Sequence, residues 1–300
     1  MTSNSMTDIA PNIRTAQQVR IRALVVPREH GAWGLLLVPI FTGAVVGVAS
    51  SHKLGPVVLF TLAALALFWL RTPVESLLGT TPMKAQTAQE RRGVLMVSLG
   101  LAGLTTGCLA ALLWSGQNSS LLLLGGIAAL LFVVRTLLMK LGRRMRMTAQ
   151  MVGALGLTST AAAAYYVSAG HLDKPALVLW GANWVFAGNQ IHFVQLRIHA
   201  ARAATFAEKF ARGRVFFLGQ IALLPVLAAA LHWRLMPRLV MLAFLPGLVR
   251  GFYWFFRGHQ SLQVKTLGWS EMRQGILFGI LLAAALILSL GCHLPSPDSN

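Results

Sequence analysis

Charged residues are scarce in this chain, and acidic residues are the scarcest. Of 300 residues, 11% are charged and only eight are Asp or Glu, whereas 56% are hydrophobic and the mean hydropathy is +0.65. Soluble domains carry about 25% charged residues, so this composition excludes an ordinary soluble fold and predicts an integral membrane protein. The two cysteines, Cys108 and Cys292, are far apart and predict neither a disulfide framework nor a zinc site.

The shortage of acids leaves a strongly basic chain, with 26 Lys and Arg and a formal net charge of +18. In a soluble protein this excess would indicate a nucleic-acid partner. Here the basic residues lie mainly in connections between apolar runs, which is the pattern that membrane insertion requires on the cytoplasmic side. We therefore predict membrane lipids as partners and no nucleic acid. The oligomeric state is left open.

Nine apolar segments approach the length of about 20 residues that a helix needs to cross the roughly 30 Å hydrocarbon core. We predict an all-α, polytopic bundle that forms one transmembrane domain over 29–292, between an N-terminal tail (1–28) and a C-terminal tail (293–300). The predicted spans are 33–50, 55–70, 93–114, 120–139, 149–169, 176–195, 215–232, 237–256 and 274–291.

The connections divide cleanly by charge. With the N-terminus in the cytoplasm, 22 of the 26 Lys and Arg lie on the cytoplasmic side, and only Lys53, Lys174, Arg234 and Arg238 lie outside. Because positive loops resist translocation, this predicts an N-in, C-out topology. The tail 1–28 is then cytoplasmic and the tail 293–300 external.

Pairs of glycines spaced four residues apart occur in three of the predicted spans. Such pairs let two helix backbones approach closely. They predict close packing at Gly43-x-x-x-Gly47, Gly103-x-x-x-Gly107 and Gly275-x-x-x-Gly279.

A row of polar side chains follows span six and its extension. Asn189, His192, Gln195, His199 and Arg202 are three, three, four and three residues apart, which places them on one face of a helix. Polar groups at membrane depth are costly, by insertion scales about 2.5–3.5 kcal/mol for a central charge. The face therefore predicts a cavity that opens to the cytoplasm. The alternative is a set of interhelical hydrogen bonds with a solvated end.

A second polar group, Glu29 and His30, lies at the start of span one. A helix start explains the carboxylate but not the histidine, so both are candidates for binding or acid-base catalysis. Glu271, before span nine, is the third catalytic candidate. It lies two residues before Arg273, which suggests an interfacial ion pair.

Arg71 and Glu75 follow span two at a spacing of four and also predict an ion pair. By the predicted topology, all of these groups share the cytoplasmic side and line one basic basin that favours an anionic ligand. The predicted ligand-binding set is Arg71, Glu75, Asn189, His192, Gln195, Arg197 and His199.

The segment from Arg250 to His259 alternates aromatic and basic residues, and we interpret it as an interfacial belt beside lipid head groups. The eight histidines form no H-x-x-x-H or H-E-x-x-H pair, and His192 and His199 are two full turns apart. We predict no metal site and no cofactor.

The run Pro27-Arg-Glu-His-Gly-Ala-Trp33 resembles the opening of the YwiC-like family of bacterial integral membrane proteins. The likeness extends more loosely over span six and over Val264 to Glu271. It implies a location in the bacterial cytoplasmic membrane and a set of site residues, namely Glu29, His30, His192, Arg197 and Glu271. The family implies no activity.

The layout of nine spans, with long cytoplasmic loops after spans two and six, resembles the UbiA-type intramembrane prenyltransferases. Those proteins hold Mg²⁺ on Asp-rich motifs in the two loop regions, since the ion prefers hard oxygen ligands. The matching regions here, around Arg71 to Glu75 and Asn189 to Arg197, contain no Asp. Mg²⁺-dependent prenyl transfer is therefore not expected.

Three functions stay open. The first is a divergent, metal-independent UbiA-like protein that binds an isoprenoid, a quinone or a lipid, with or without catalysis. The second is a non-enzymatic accessory subunit of a membrane complex, and the third is a small-molecule carrier. The polar face of span six favours the first.

Overall fold

The computed structural model of the chain describes residues 19–26, 30–79, 84–116, 119–258 and 262–291. In these ranges the fold is all α, without a β-strand, as predicted. After a helical stretch at 19–25, the long helices are α1 (His30–Ser51), α2 (Gly55–Leu78), α3 (Ala88–Trp114), α4 (Ser119–Lys140), α5 (Arg146–Ala169), α6 (Lys174–His199), α7 (Phe206–His232), α8 (Met241–Phe256) and α9 (Val264–Gly291). Single 3₁₀ turns, Arg143–Met145 and Arg238–Val240, precede α5 and α8.

Each of the nine predicted spans falls on one of these helices, and seven helices in the described ranges are long and apolar enough to cross a membrane. Helices α5 and α6 are not among the seven. Both contain polar residues and long buried stretches, such as Ala161–Val167 on α5. A helix surrounded by protein needs less apolar surface than one that faces lipid. That all nine helices span the membrane, and that the topology is N-in, C-out, stay predictions.

The described residues divide into two compact units. Unit one comprises the described parts of Met1–His30 and Val58–Gly116, and unit two those of Gly31–Val57 and Gln117–Asn300. Unit one thus holds most of α2 and all of α3, and unit two holds α1 from Gly31 onward, the first residues of α2, and α4 to α9. The single transmembrane domain over 29–292 stays a prediction.

Unit one is organised around the start of α3. Leu24, Val25 and Val94 form its buried core, and the Trp69 indole donates a 2.9 Å hydrogen bond to the Val25 carbonyl. Glu90 closes a capping box with Thr87 and lies 2.8 Å from the Arg20 guanidinium. The contacts of this buried carboxylate with Thr87 and Arg20 stabilise the start of the helix.

In unit two, α1 packs closely on α5 and α9. A Cβ atom at Gly43 would overlap the Ala161 carbonyl oxygen of α5, and one at Gly279 would lie 3.1 Å from a Val38 methyl group of α1. Two of the three glycine pairs therefore pack closely, as predicted. Gly103 and Gly107 in unit one have no described neighbour within 4 Å of an added Cβ, so the expectation is wrong there.

The C-terminal part of α6 packs on α7 and α8 through an aromatic core. Its buried members are Phe193, Leu196, Ala200, Ala203, Phe216, Trp254 and Phe255. Gly213 of α7 allows this approach, since an added Cβ would lie 2.8 Å from a Leu196 methyl group. This core fixes the ends of three helices relative to one another, and the candidate site is built on it.

Candidate functional site

The predicted residues of unit one form a local ion pair. The Arg71 Nε lies 2.7 Å from the Glu75 Oε1 on α2, and both side chains are about one-third exposed. The predicted contact is confirmed, and an exposed pair of this kind is worth at most about 1 kcal/mol. Glu29 lies outside the described residues. His30 begins α1, and its side chain is not part of the description.

Glu271 pairs with a different arginine from the one that the sequence suggested. Its two oxygens lie 2.6 and 3.0 Å from the two terminal nitrogens of Arg250 on α8. Residues two apart on a helix point in different directions, so Arg273 cannot face Glu271, and it is exposed. The predicted pairing of Glu271 with Arg273 is wrong.

The predicted polar face of α6 contacts two different helices. Asn189 accepts a hydrogen bond from Gln220 of α7, whereas Gln195 donates one to Gln150 of α5. His192 is half-buried, and no hydrogen bond to a described residue is recorded for it. The exposed His199 ring lies 2.8 Å from the Gln195 carbonyl oxygen.

The helical extension that the sequence predicted through Arg202 is shorter than expected. Helix α6 ends at His199, with Ala200 as its C-cap, and Arg202 lies exposed in the following turn. Arg202 therefore does not continue the polar face of the helix. The amide pairs at Asn189 and Gln195 match the alternative reading, in which this face makes interhelical hydrogen bonds.

The neighbouring face of α6 carries the charged contacts. Gln190 donates a 2.7 Å hydrogen bond to the Glu271 backbone carbonyl, and the Phe193 ring lies under Arg250 with its centroid 4.2 Å from the guanidinium carbon. Arg197 follows at the next turn, within electrostatic reach of Glu271 and Arg250. Spacings of three and four place these three α6 residues on one side of the helix.

A narrow opening, which we call the Arg197 cleft, lies beside Arg197 near the C-terminal end of α6. Its polar and aromatic lining residues are Arg197, Lys209, Trp254 and Arg257. The cavity volume is about 10 Å³, which is the space for one water molecule. A larger group can enter only if the long basic side chains at the opening move.

Lys209 is almost fully buried, with 3% of its surface exposed. Its ammonium donates to the Trp254 carbonyl at 3.3 Å and to the Arg257 carbonyl, and lies 5.2 Å from the centroid of the Trp254 ring. It therefore satisfies carbonyl groups at the C-terminal end of α8 and holds the start of α7 against that end.

The charges around the cleft are unbalanced. Arg197 lies within electrostatic reach of three other cations, Lys209, Arg250 and Arg257, and of one carboxylate, Glu271, so these five side chains carry a formal charge of +3. Lys209 and Arg250 are occupied by carbonyls and by the carboxylate. For Arg197, no hydrogen bond or ion pair to a described residue is recorded. The Arg250 Nε and the Gln220 Oε1 are buried and likewise have no described partner.

Six residues of this arrangement were not among the predicted site residues: Gln190, Phe193, Lys209, Arg250, Trp254 and Arg257. The sequence signal for three of them was the spacing of Arg250, Trp254 and Arg257 at four and three residues on α8 and its C-cap. We interpreted that run as an interfacial belt. The structure corrects this for Trp254 and Phe255, which are 9% and 1% exposed, while Tyr253 and Phe256 remain exposed.

Metal-binding clusters are not found in the part of the chain that the structure describes. No group of three or more His, Cys, Asp or Glu side chains there is arranged to hold a metal ion.

Comparison with known families gives a match, which covers a segment in the N-terminal part of the chain. Residues 26–165 match the model of a family described as YwiC-like protein, and this range includes the Pro27 to Trp33 motif. The identification made from that motif is confirmed over this range, and the chain is an integral, multi-pass protein of the bacterial cell membrane. The Arg197 cleft lies beyond the matched range.

Neither a curated protein nor a solved structure matches the chain. The UbiA-like architecture therefore stays a prediction.

Proposed function

We propose that this YwiC-like membrane protein binds an anionic amphiphile, an isoprenoid or another lipid, with the charged head group at the Arg197 cleft. The observation that carries the proposal is that the Arg197 guanidinium, one of the four cations of the +3 cluster, lines the cleft and has no acceptor among the described residues. A guanidinium presents a planar fork of donors that fits a carboxylate or phosphate group.

The surroundings favour an anion more strongly than an exposed arginine would. Arg197 is half-buried, and Phe193 and Trp254 line its side of the bundle, so its charge is less screened than in water. Lys209 and Arg257 add positive potential from the ends of α7 and α8. A quinone, also a candidate from the sequence, carries no charge and gains least from this site.

The predicted topology supports a lipid as the source of the anion. Arg197 lies in the basic segment that the positive-inside rule assigns to the cytoplasm, where the leaflet is rich in anionic lipids. The head group enters the cleft only when the basic side chains at the opening move, and the apolar chain would lie along the lipid-facing helices. The cations neutralise the head group directly, without a metal.

The test is to identify the lipids that co-purify with the protein. We expect native mass spectrometry in a neutral detergent to show an anionic amphiphile bound to the wild type and depleted in Arg197→Gln. Arg202→Gln is the matched control, because it removes the same charge from an exposed turn five residues away. Equal retention by wild type and Arg197→Gln would refute the proposal.

A further variant separates the two faces of α6. If the ligand instead binds the polar face predicted from the sequence, His192→Ala loses the amphiphile and Arg197→Gln retains it. Our proposal requires the opposite result.

A further inference from the structure

Glu271 holds the position that an anionic ligand would take on Arg250. Its side chain spans both terminal nitrogens of the guanidinium at 2.6 and 3.0 Å, and the residue is 8% exposed. Its backbone carbonyl accepts a hydrogen bond from Gln190 of α6. Glu271 is therefore held from two sides, its carboxylate by α8 and its backbone by α6.

Because of this ion pair, the two arginines differ in their hydrogen bonding: Arg250 is occupied by Glu271, whereas Arg197 is open to a ligand. Both terminal nitrogens of Arg250 donate to Glu271, and its Nε is buried. Arg197, one helix away, has no recorded acceptor among the described residues, although it feels the charge of Glu271. One open fork matches one carboxylate-sized or phosphate-sized group.

We infer that Glu271 is a specificity-determining residue, which keeps Arg250 occupied, so that a head group with two phosphate groups binds little more tightly than one with a single phosphate group. The inference rests on the proposed function. A diphosphate would present a second anionic group, for which Arg250 is the neighbouring fork, and Glu271 already fills that fork. Replacing Glu271 by Gln removes one of the two acceptor oxygens and the negative charge, which releases a donor of Arg250 and adds one positive charge to the cluster.

Two probes with the same apolar chain, dodecyl phosphate and dodecyl diphosphate, test the inference. Their affinities are measured by isothermal titration calorimetry with the full-length protein in a neutral detergent. We expect the wild type to bind the diphosphate no more than about threefold more tightly than the monophosphate, since one charged hydrogen-bonded fork is available.

In Glu271→Gln we expect diphosphate affinity to rise by about tenfold or more, because Arg250 then contributes a charged hydrogen bond, while monophosphate affinity changes much less. Arg250→Gln/Glu271→Gln removes both charges and should lose this gain. An unchanged ratio of the two affinities in Glu271→Gln overturns the inference. If Glu271→Gln does not fold, a wild-type preference for the diphosphate above about tenfold overturns it as well.

Failure of the proposed function gives a different result. In that case either the wild type binds neither probe, or Arg197→Gln binds both probes as tightly as the wild type does. If wild-type binding depends on Arg197 but Glu271→Gln does not shift the preference toward the diphosphate, only the role of Glu271 is refuted.

Discussion

Arg250 of α8 and Glu271 of α9 form a two-point ion pair, with nitrogen to oxygen distances of 2.6 and 3.0 Å, over the ring of Phe193 on α6. Side-chain exposures of 20% and 10% place the pair largely out of solvent. It joins three helices at the point where the charged site is built.

Breaking this pair from one side should be costly. Arg250→Met leaves the Glu271 carboxylate buried without its partner, and we expect a loss of about 3–5 kcal/mol in the free energy of unfolding. Arg250→Met/Glu271→Leu, which removes both charges, should recover most of that loss. Thermal unfolding of the purified variants measures the effect, and a double variant no more stable than Arg250→Met would contradict it.

Close packing of α1 on α5 gives a second prediction. Gly43→Ala places a methyl group against the Ala161 backbone and should cost about 1–3 kcal/mol of stability. Gly34→Ala, on the same helix with nothing within 4 Å of its added Cβ, is the control and should be neutral or slightly stabilising. Similar melting temperatures for the two variants would show that the helices do not approach at Gly43.

Lys209 is expected to stabilise the end of α8. Lys209→Met keeps the length of the side chain but removes the donor to the Trp254 and Arg257 carbonyls, which should destabilise the protein by about 1–3 kcal/mol. Lys265→Met makes the same change at an exposed position and should have little effect. Limited proteolysis together with thermal unfolding checks both, and intact stability in Lys209→Met would argue against this role.

The N-in, C-out topology can be tested with single cysteines. In a Cys108→Ala/Cys292→Ser background, a membrane-impermeant maleimide should label Ser115→Cys in intact cells, because the loop after α3 is predicted to be external. Arg202→Cys should react only after lysis. Both positions are exposed in the structure. The reverse pattern would invert the topology and place the Arg197 cleft outside the cell.

Much of the fold follows from local sequence pattern. The apolar runs locate every long helix, since helix length and hydropathy depend on neighbouring residues along the chain. Helices α5 and α6 are harder to classify, because Thr158, Asn183 and similar residues find their partners inside the protein. The Asn183 side chain, for example, donates a 3.0 Å hydrogen bond to Thr42 of α1.

The site was predictable only in part. Arg197 and Glu271 stand out as charges next to apolar spans, and the structure places them within electrostatic reach of each other. Their partners come from other helices, α7 and α8, so helical periodicity within α6 could not identify Lys209 or Arg250. Periodicity also favoured the amide-rich face of α6, although its amides at Asn189 and Gln195 bond to neighbouring helices.

The most direct test of the central claim is the affinity of dodecyl phosphate for the wild type, Arg197→Gln and Arg202→Gln at one fixed salt concentration in neutral detergent. The account predicts that Arg197→Gln weakens binding by about tenfold or more, since it loses a charged donor pair, while Arg202→Gln stays within about twofold of the wild type. Equal affinities for the wild type and Arg197→Gln would contradict an anion site at the Arg197 cleft.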